Sequence, residues 1–186
     1  PFIHDAAVYL KNITRIKDGK RYLPLSASPE YNNNTVDAWF LNWTNFDLSL
    51  SKFLFGAAAE VARATHKDAE AKGWELMLAQ LPDFSIDETG MMIAPGLSQL
   101  HSHRHMSPFM AIHPLALLDI NKDADKKIIT DVYSNLEKLG TRAWCGYSFS
   151  WMASLYARGY EGDKAAEQLR IFSANFCSPN SFHLNG

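Results

Sequence analysis

Apolar residues recur every three or four positions along most of this chain, which is the spacing of amphipathic α-helices. The pattern predicts a helix over residues 1–17 and a long helix that begins at Thr35 and runs past Val61. Five further helices are predicted over residues 69–81, 109–118, 124–139, 148–158 and 163–176. Asp123 is the predicted cap of one of these helices, and Gly140 is its predicted end.

One stretch interrupts the helical periodicity. Residues 84–93 place the turn-forming Asp87-Glu88-Thr89-Gly90 between short apolar segments, so we expect a small β-hairpin there. Apart from this hairpin, the pattern predicts only helices. We therefore expect one all-α domain of six or seven helices over residues 1–186. Since no motif repeats at a fixed period, a solenoid is disfavoured. Helix pairs joined by long loops favour an (α/α)6 toroid, although periodicity alone does not distinguish a toroid from a bundle.

Composition excludes several classes of protein. The 186 residues carry a formal net charge of −2, which gives no reason to expect nucleic acid or a membrane surface as a partner. No apolar run is long enough to span a bilayer. Cys145 and Cys177 are too few for a disulfide framework or a four-thiolate metal site.

The segment Ser28-Pro29-Glu30 offers the first candidate for chemistry. A proline disfavours helical conformation in the residue before it, which here is Ser28. We therefore expect this segment, with the Glu30 carboxyl group, to lie in a loop. As a functional group, Glu30 would be a general acid. Burial by Tyr31, Trp39 and Trp43 would then raise its pKa toward neutrality. The alternative is an exposed loop carboxylate, which is the usual situation of a glutamate.

A second cluster combines three alternating histidines with an arginine: His101, His103, Arg104 and His105. We consider three interpretations in order of preference. Arg104 and His105 could donate hydrogen bonds to substrate hydroxyls, the histidines could bond to helix-end carbonyls, or they could bind zinc. Because no carboxylate or thiolate accompanies them, we expect neither a metal nor a cofactor.

Trp144 is the aromatic residue most able to reach a cleft, since it precedes a predicted helix. A flat aromatic ring can stack on the C–H face of a sugar. Its neighbours Tyr147, Phe149 and Trp151 have helical spacing, and such residues more often belong to a core.

The order of these motifs resembles the catalytic domain of glycoside hydrolase family 95, of the 1,2-α-L-fucosidase type. The resemblance covers nearly the whole chain. The matching segments are Ser28-Pro29-Glu30, Asp37, His103-Arg104-His105-Met106-Ser107, residues 144–151 and residues 157–165.

The resemblance implies an (α/α)6 toroid of twelve helices that hydrolyses α-L-fucosides or closely related sugars with inversion. It implies that Glu30 is the general acid and that Arg104 and His105 contact the sugar. His103 and Trp144 are further candidates for binding the glycan substrate. By analogy with the family, the protein is expected to be secreted or periplasmic.

One position departs from the family pattern. Asn185 stands where the family has an aspartate, and an amide cannot supply the negative charge that polarises the base. We include Asn185 among the candidate substrate-binding residues. The alternative to an enzyme is therefore a non-catalytic carbohydrate-binding or scaffold domain of the same fold.

The predicted helices number about half of the twelve that the resemblance implies. We therefore expect a fragment, the C-terminal part of a catalytic domain, whose partners are a glycan substrate and the remainder of that domain. Isolated from that remainder, the chain is expected to be inactive.

Overall fold

The computed structural model describes residues 1–185, except for the side chain of Asn34. In that range the chain forms six α-helices: α1 (Phe2–Ile13), α2 (Asn45–Ala64), α3 (Asp68–Gln80), α4 (Asp123–Leu139), α5 (Gly146–Arg158) and α6 (Gly162–Phe176). Helical residues make up 54% of the chain, which confirms the all-α prediction and is consistent with part of a helical toroid. Within the same residues, no helix is long and apolar enough to cross a membrane.

Two antiparallel hairpins accompany the helices. Their strands are β1 (Arg15–Lys17), β2 (Lys20–Tyr22), β3 (Ile86–Asp87) and β4 (Gly90–Met91). The β3–β4 hairpin confirms the one predicted over residues 84–93. The β1–β2 hairpin was not predicted, and the helix expected to reach Lys17 ends at Ile13. Asp18 and Gly19 form its two-residue turn with positive φ values of 52° and 74°, as primed hairpin turns require.

Apolar side chains form two clusters. The first lies among α1, α2 and α3 and includes the buried side chains of Phe55 and Trp74. The second joins α4 and α5 to β4 and the loop before α4, and it includes Ile129 and Leu155. Phe84 packs against both clusters. Burial of apolar surface therefore links the two groups of helices through the β3–β4 region.

The long helix α2 begins ten residues later than predicted, at Asn45 rather than Thr35. The Thr44 hydroxyl caps it by accepting a hydrogen bond from the Asp47 amide at 3.2 Å. Residues 35–43 instead form short turns and a bridge in which Phe40 exchanges two 2.8 Å backbone hydrogen bonds with Ser26.

A second predicted helix, over residues 109–118, is also wrong. The structure has only a 3-10 turn at Ser107–Phe109, followed by irregular turns. Pro114 has no amide to donate within a helix, and Ala116 has a φ of 50°, in the left-handed region. The other predicted helices are present within a few residues of their expected ends. Asp123 is the first residue of α4 rather than its cap.

Close packing of the β3–β4 hairpin on α4 requires a glycine. At Gly90, φ is 85° and a Cβ atom would lie 2.6 Å from Val132 Cγ2 and 2.7 Å from Val132 N. Gly96 has a similar φ of 77°, but a Cβ atom there would have nothing within 4 Å. The two glycines thus share the same backbone restriction and differ in steric surroundings.

We predict that Gly90→Ala lowers the free energy of unfolding by about 1–3 kcal/mol more than Gly96→Ala does, because only the first substitution forces helix α4 away. Chemical denaturation of both variants measures the difference. Equal destabilisation of the two variants would contradict this packing.

Candidate active site

Two loops that are distant in sequence are joined by buried hydrogen bonds. Ser28 Oγ lies 3.0 Å from Ser107 Oγ, and the Tyr31 hydroxyl donates to Gln99 Oε1 at 2.9 Å. All four residues are buried, and each pair is separated by more than 60 residues in the chain. Buried polar groups are costly to leave without partners. These two hydrogen bonds therefore fix the position of the Ser28–Tyr31 loop relative to residues 99–107.

His103 strengthens the same contact. Its imidazole stacks on the Tyr31 ring, with centroids 4.0 Å apart and planes 14° apart. Its Nδ1 accepts a hydrogen bond from the His105 amide at 3.1 Å, so this nitrogen carries no proton. Burial lowers the pKa of His103, which favours the neutral ring that this bond needs. In this arrangement His103 holds the backbone of His105 in place.

Glu30 occupies an unusual backbone conformation next to this contact. Its φ and ψ are 61° and 2°, and Asn32 and Asn33 also have positive φ values of 58° and 50°. Asparagine adopts this left-handed conformation fairly readily, whereas glutamate rarely does. Such backbone outliers cluster at functional sites, where the surrounding structure enforces them. The conformation of Glu30 thus marks its carboxylate as a candidate functional group.

The Glu30 carboxylate is held by the arginine and histidine that follow His103. Its Oε2 atom accepts from the Arg104 guanidinium and lies 3.1 Å from His105 Nε2. Hydrogen bonding to Arg104 lowers the pKa of Glu30, and His105 acts in the same direction. The structure therefore brings together three of the residues singled out in the sequence.

The predicted upward shift of the Glu30 pKa is wrong, and Trp43 is not part of the predicted aromatic surroundings. Trp43 is buried in the first apolar cluster, where its indole nitrogen donates to the Arg21 carbonyl at 2.9 Å. Trp39 is 49% exposed, and the Glu30 side chain is 45% exposed. The hydrogen bond from Arg104, rather than burial, determines the direction in which the Glu30 pKa shifts.

The first turn of α5 holds Arg104 and His105 in place through two hydrogen bonds. The Tyr147 hydroxyl lies 3.1 Å from His105 Nε2, and the Ser148 hydroxyl donates to the Arg104 carbonyl at 2.7 Å. Sequence reasoning missed Tyr147, which was interpreted as a core residue because of its helical spacing. The available signal was its position between Trp144 and Trp151, in a stretch that resembles the family motif.

A cleft of about 390 Å³ borders Glu30. Its walls are the turn at residues 30–33, the segment 97–103 and Ile93. His101 lies in this wall with an exposed side chain. A carboxyl group between a guanidinium, an imidazole and an open cleft can transfer a proton to a bound ligand and can also bind hydroxyl groups.

Three other predicted residues contact parts of the chain other than Glu30. Trp144 packs edge-on against Phe149, with centroids 5.1 Å apart, at the border of the second apolar cluster. Asn185 is exposed beside the start of α5, where its carbonyl accepts from the Gly146 amide at 3.4 Å. Asp37 is exposed, and its carbonyl accepts from the Asn32 amide group at 2.8 Å.

The alternating histidines do not form a ligand set for a metal ion. The rings of His103 and His105 have centroids 5.8 Å apart, and Nδ1 of His103 is already bonded to a backbone amide. Within residues 1–185, no three histidine, cysteine, aspartate or glutamate side chains are grouped so that they could hold a metal.

Comparison with known proteins identifies the family. A model of the glycosyl hydrolase family 95 catalytic domain matches residues 1–185. A search of curated proteins gave no match. The match covers the Ser28–Tyr31 loop, the Arg104–His105 pair and the supporting helix α5 together, and the chain belongs to the glycoside hydrolase family 95 catalytic domains.

Proposed function

We propose that this chain is part of an inverting glycoside hydrolase that acts on α-L-fucosides or closely related sugars, with Glu30 as the general acid. Family membership supports a glycan substrate and a hydrolase. The observation that carries the assignment of Glu30 is its carboxylate, which is held in a left-handed turn by Arg104 and lies 3.1 Å from His105 Nε2.

Inversion requires groups on both faces of the sugar. A general acid protonates the leaving oxygen, and a base on the opposite face activates water, with carboxyl groups typically ~6.5–9.5 Å apart. In our proposal, Glu30 provides the acid and the remainder of the catalytic domain provides the base. The described residues form six helices, half of a twelve-helix toroid, which supports assigning this chain to a part of that domain.

The general acid must carry a proton when the substrate is bound, whereas Arg104 favours its ionised form in the free chain. Sugar binding can reverse this preference in two ways. Hydroxyl groups of the sugar can accept the hydrogen bonds of Arg104, and a bound sugar can exclude water from Glu30. Both changes raise the pKa of Glu30. We therefore propose that Arg104 binds the sugar and, in doing so, frees the carboxylate to take up a proton.

A second candidate function is sugar binding without hydrolysis. Asn185 provides an amide where the family has an aspartate, and this favours a domain whose base is not polarised. Titration of the intact catalytic domain with fucosylated sugars, alongside a hydrolysis assay, distinguishes the two functions. Binding without product would favour this second candidate.

The secreted or periplasmic location of the protein stays a prediction.

We predict that Glu30→Gln in the intact catalytic domain lowers turnover of an α-1,2-fucosyl oligosaccharide by about 10²–10⁴-fold. Turnover of α-L-fucosyl fluoride should fall much less, because fluoride leaves with little need for a proton. Steady-state kinetics on the two substrates measures both effects.

The matched control is Glu88→Gln, which removes an exposed carboxylate from the β3–β4 turn. It should leave both activities unchanged. Normal oligosaccharide turnover by Glu30→Gln would exclude Glu30 as the acid.

We also predict the direction in which Arg104 shifts the Glu30 titration. In the free chain the pKa of Glu30 lies below its ordinary value, because Arg104 stabilises the carboxylate. Arg104→Gln removes that cation, so the pKa should rise toward the ordinary value. Carboxyl-carbon NMR over a pH series measures the shift.

Arg63→Gln is the control for this titration, since Arg63 is ion-paired with Glu75 on the neighbouring helices α2 and α3. It should leave the Glu30 titration unchanged. A Glu30 pKa that does not rise in Arg104→Gln would contradict the coupling.

A further inference from the structure

We propose that Tyr147 is a positioning residue for the general acid: its hydroxyl donates to His105 Nε2, keeps that nitrogen without a proton, and so favours the protonated form of the Glu30 carboxyl group. The inference rests on the proposed function and adds to it the residue that keeps the acid ready to give its proton. Tyr147 acts on Glu30 through His105, so it need not touch the sugar.

The nitrogen that joins the three side chains is the first argument. His105 Nε2 lies 3.1 Å from the Tyr147 hydroxyl oxygen and 3.1 Å from Glu30 Oε2. In a neutral imidazole, this nitrogen either carries a proton and donates it, or has none and accepts a hydrogen bond. With a proton, Nε2 stabilises the ionised carboxylate. Without one, Nε2 and an ionised carboxylate are two acceptors that face each other, so a proton on Glu30 is favoured.

The donor character of the Tyr147 hydroxyl is the second argument. Burial raises the pKa of Tyr147 to about 12, and Cys145 acts in the same direction. The hydroxyl therefore keeps its proton throughout the range in which carboxyl groups and imidazoles titrate. A thiol such as that of Cys145 is a weak acceptor, whereas an unprotonated imidazole nitrogen is a good one. The hydroxyl therefore donates to Nε2 and selects the His105 tautomer whose proton is on Nδ1.

The fixed placement of both groups is the third argument. The His105 amide donates to His103 Nδ1 at 3.1 Å, and the Ser148 hydroxyl donates to the Arg104 carbonyl at 2.7 Å. Tyr147 belongs to the first turn of α5, and the centroid of its ring lies 5.4 Å from that of the His105 ring. The fold thus holds the hydroxyl within reach of Nε2, which lowers the entropic cost of the hydrogen bond.

The charges around these residues give the sign of the effect. The titratable or charged side chains that surround Tyr147, His105 and Glu30 include those of Cys145, Arg104 and His103. Hydrogen bonds from Arg104 and His105 lower the pKa of Glu30 in the free chain. By occupying Nε2, the Tyr147 hydroxyl opposes the contribution of His105 and leaves that of Arg104. Removal of the hydroxyl therefore lowers the pKa of Glu30 further, and activity that needs protonated Glu30 is lost at a lower pH as the pH rises.

The test is the pH dependence of kcat/KM in the intact catalytic domain, which reports the titration of the acid in the free enzyme. Tyr147→Phe removes the hydroxyl and keeps the ring. With an α-1,2-fucosyl oligosaccharide, the limb on which activity falls with rising pH should move lower by about 0.4–1 pH unit, the equivalent of one hydrogen bond. With α-L-fucosyl fluoride, whose leaving group has little need for a proton, no such shift is expected.

Tyr156→Phe is the matched control. It removes a hydroxyl on the same helix, one that donates to Glu137 Oε1 at 2.8 Å. The two variants therefore lose the same kind of hydrogen bond, and only Tyr147→Phe loses it at His105. Tyr156→Phe should leave the pH profile as in wild type on both substrates.

A second measurement observes the His105 proton directly. Nitrogen-15 NMR of labelled histidine in the intact domain distinguishes the two neutral tautomers, and His105→Gln identifies the signals of this residue. We expect the proton of neutral His105 on Nδ1 in wild type and on Nε2 in Tyr147→Phe.

An oligosaccharide limb that stays in place or moves to higher pH in Tyr147→Phe would overturn the role of Tyr147 while leaving Glu30 as the acid. A proton on Nε2 of neutral His105 in the wild-type domain would also overturn it, and this result does not need Tyr147→Phe to fold. Absence of oligosaccharide hydrolysis by the wild-type domain would instead overturn the proposed function, and the role of Tyr147 with it.

Discussion

The site depends on the buried contact between the Ser28–Tyr31 loop and residues 99–107. Two hydrogen bonds, one between the Ser28 and Ser107 hydroxyls and one from the Tyr31 hydroxyl to Gln99, join segments that are far apart in the sequence. A polar group left without its partner in such a place costs about 1–3 kcal/mol. Glu30 belongs to the first segment, and Arg104 and His105 belong to the second. Their meeting therefore follows from a contact that the protein cannot easily lose.

The ion pair between Arg104 and Glu30 contributes little to the stability of the fold. Arg104 and Glu30 are both about half exposed, and exposed ion pairs add little to stability. The left-handed backbone of Glu30 costs free energy as well. A structure that holds an unfavourable turn for a weak ion pair gains no stability from it. The arrangement is more readily understood as a positioned carboxylate, with His103 and Tyr147 fixing the imidazole beside it.

Sequence patterns predicted the fold where one periodic face meets one core. Helix α4 is such a case, because Ile129, Val132 and Leu136 all face the second apolar cluster. The same reasoning failed before α2. Trp43 has helical spacing but precedes the helix, and it is buried in the first apolar cluster, where its indole nitrogen donates to the Arg21 carbonyl of β2. The Asp18-Gly19 turn carried a clear hairpin signal within a stretch otherwise assigned to helix and loop.

The site was predictable in part. The meeting of Glu30 with Arg104 and His105 was implied by the family resemblance, in which all three residues act on one sugar. The direction of the Glu30 pKa shift was not, since it depends on which side chains share its surroundings. Trp39 and Trp43 are close to Glu30 in sequence, yet folding places Arg104 beside the carboxylate instead. Tyr147 was missed because its helical spacing also fits a core residue.

The central claim is that Glu30 delivers a proton to the glycosidic oxygen. The most direct test is a crystal structure of the intact catalytic domain with a sulfur-linked substrate analogue that resists hydrolysis. Our account predicts the Glu30 carboxyl group within hydrogen-bonding reach of the bridging sulfur, with Arg104 bonded to hydroxyls of the cleaved sugar. A complex in which a different carboxyl group reaches that sulfur, with Glu30 still paired to Arg104 away from the sugar, would contradict it.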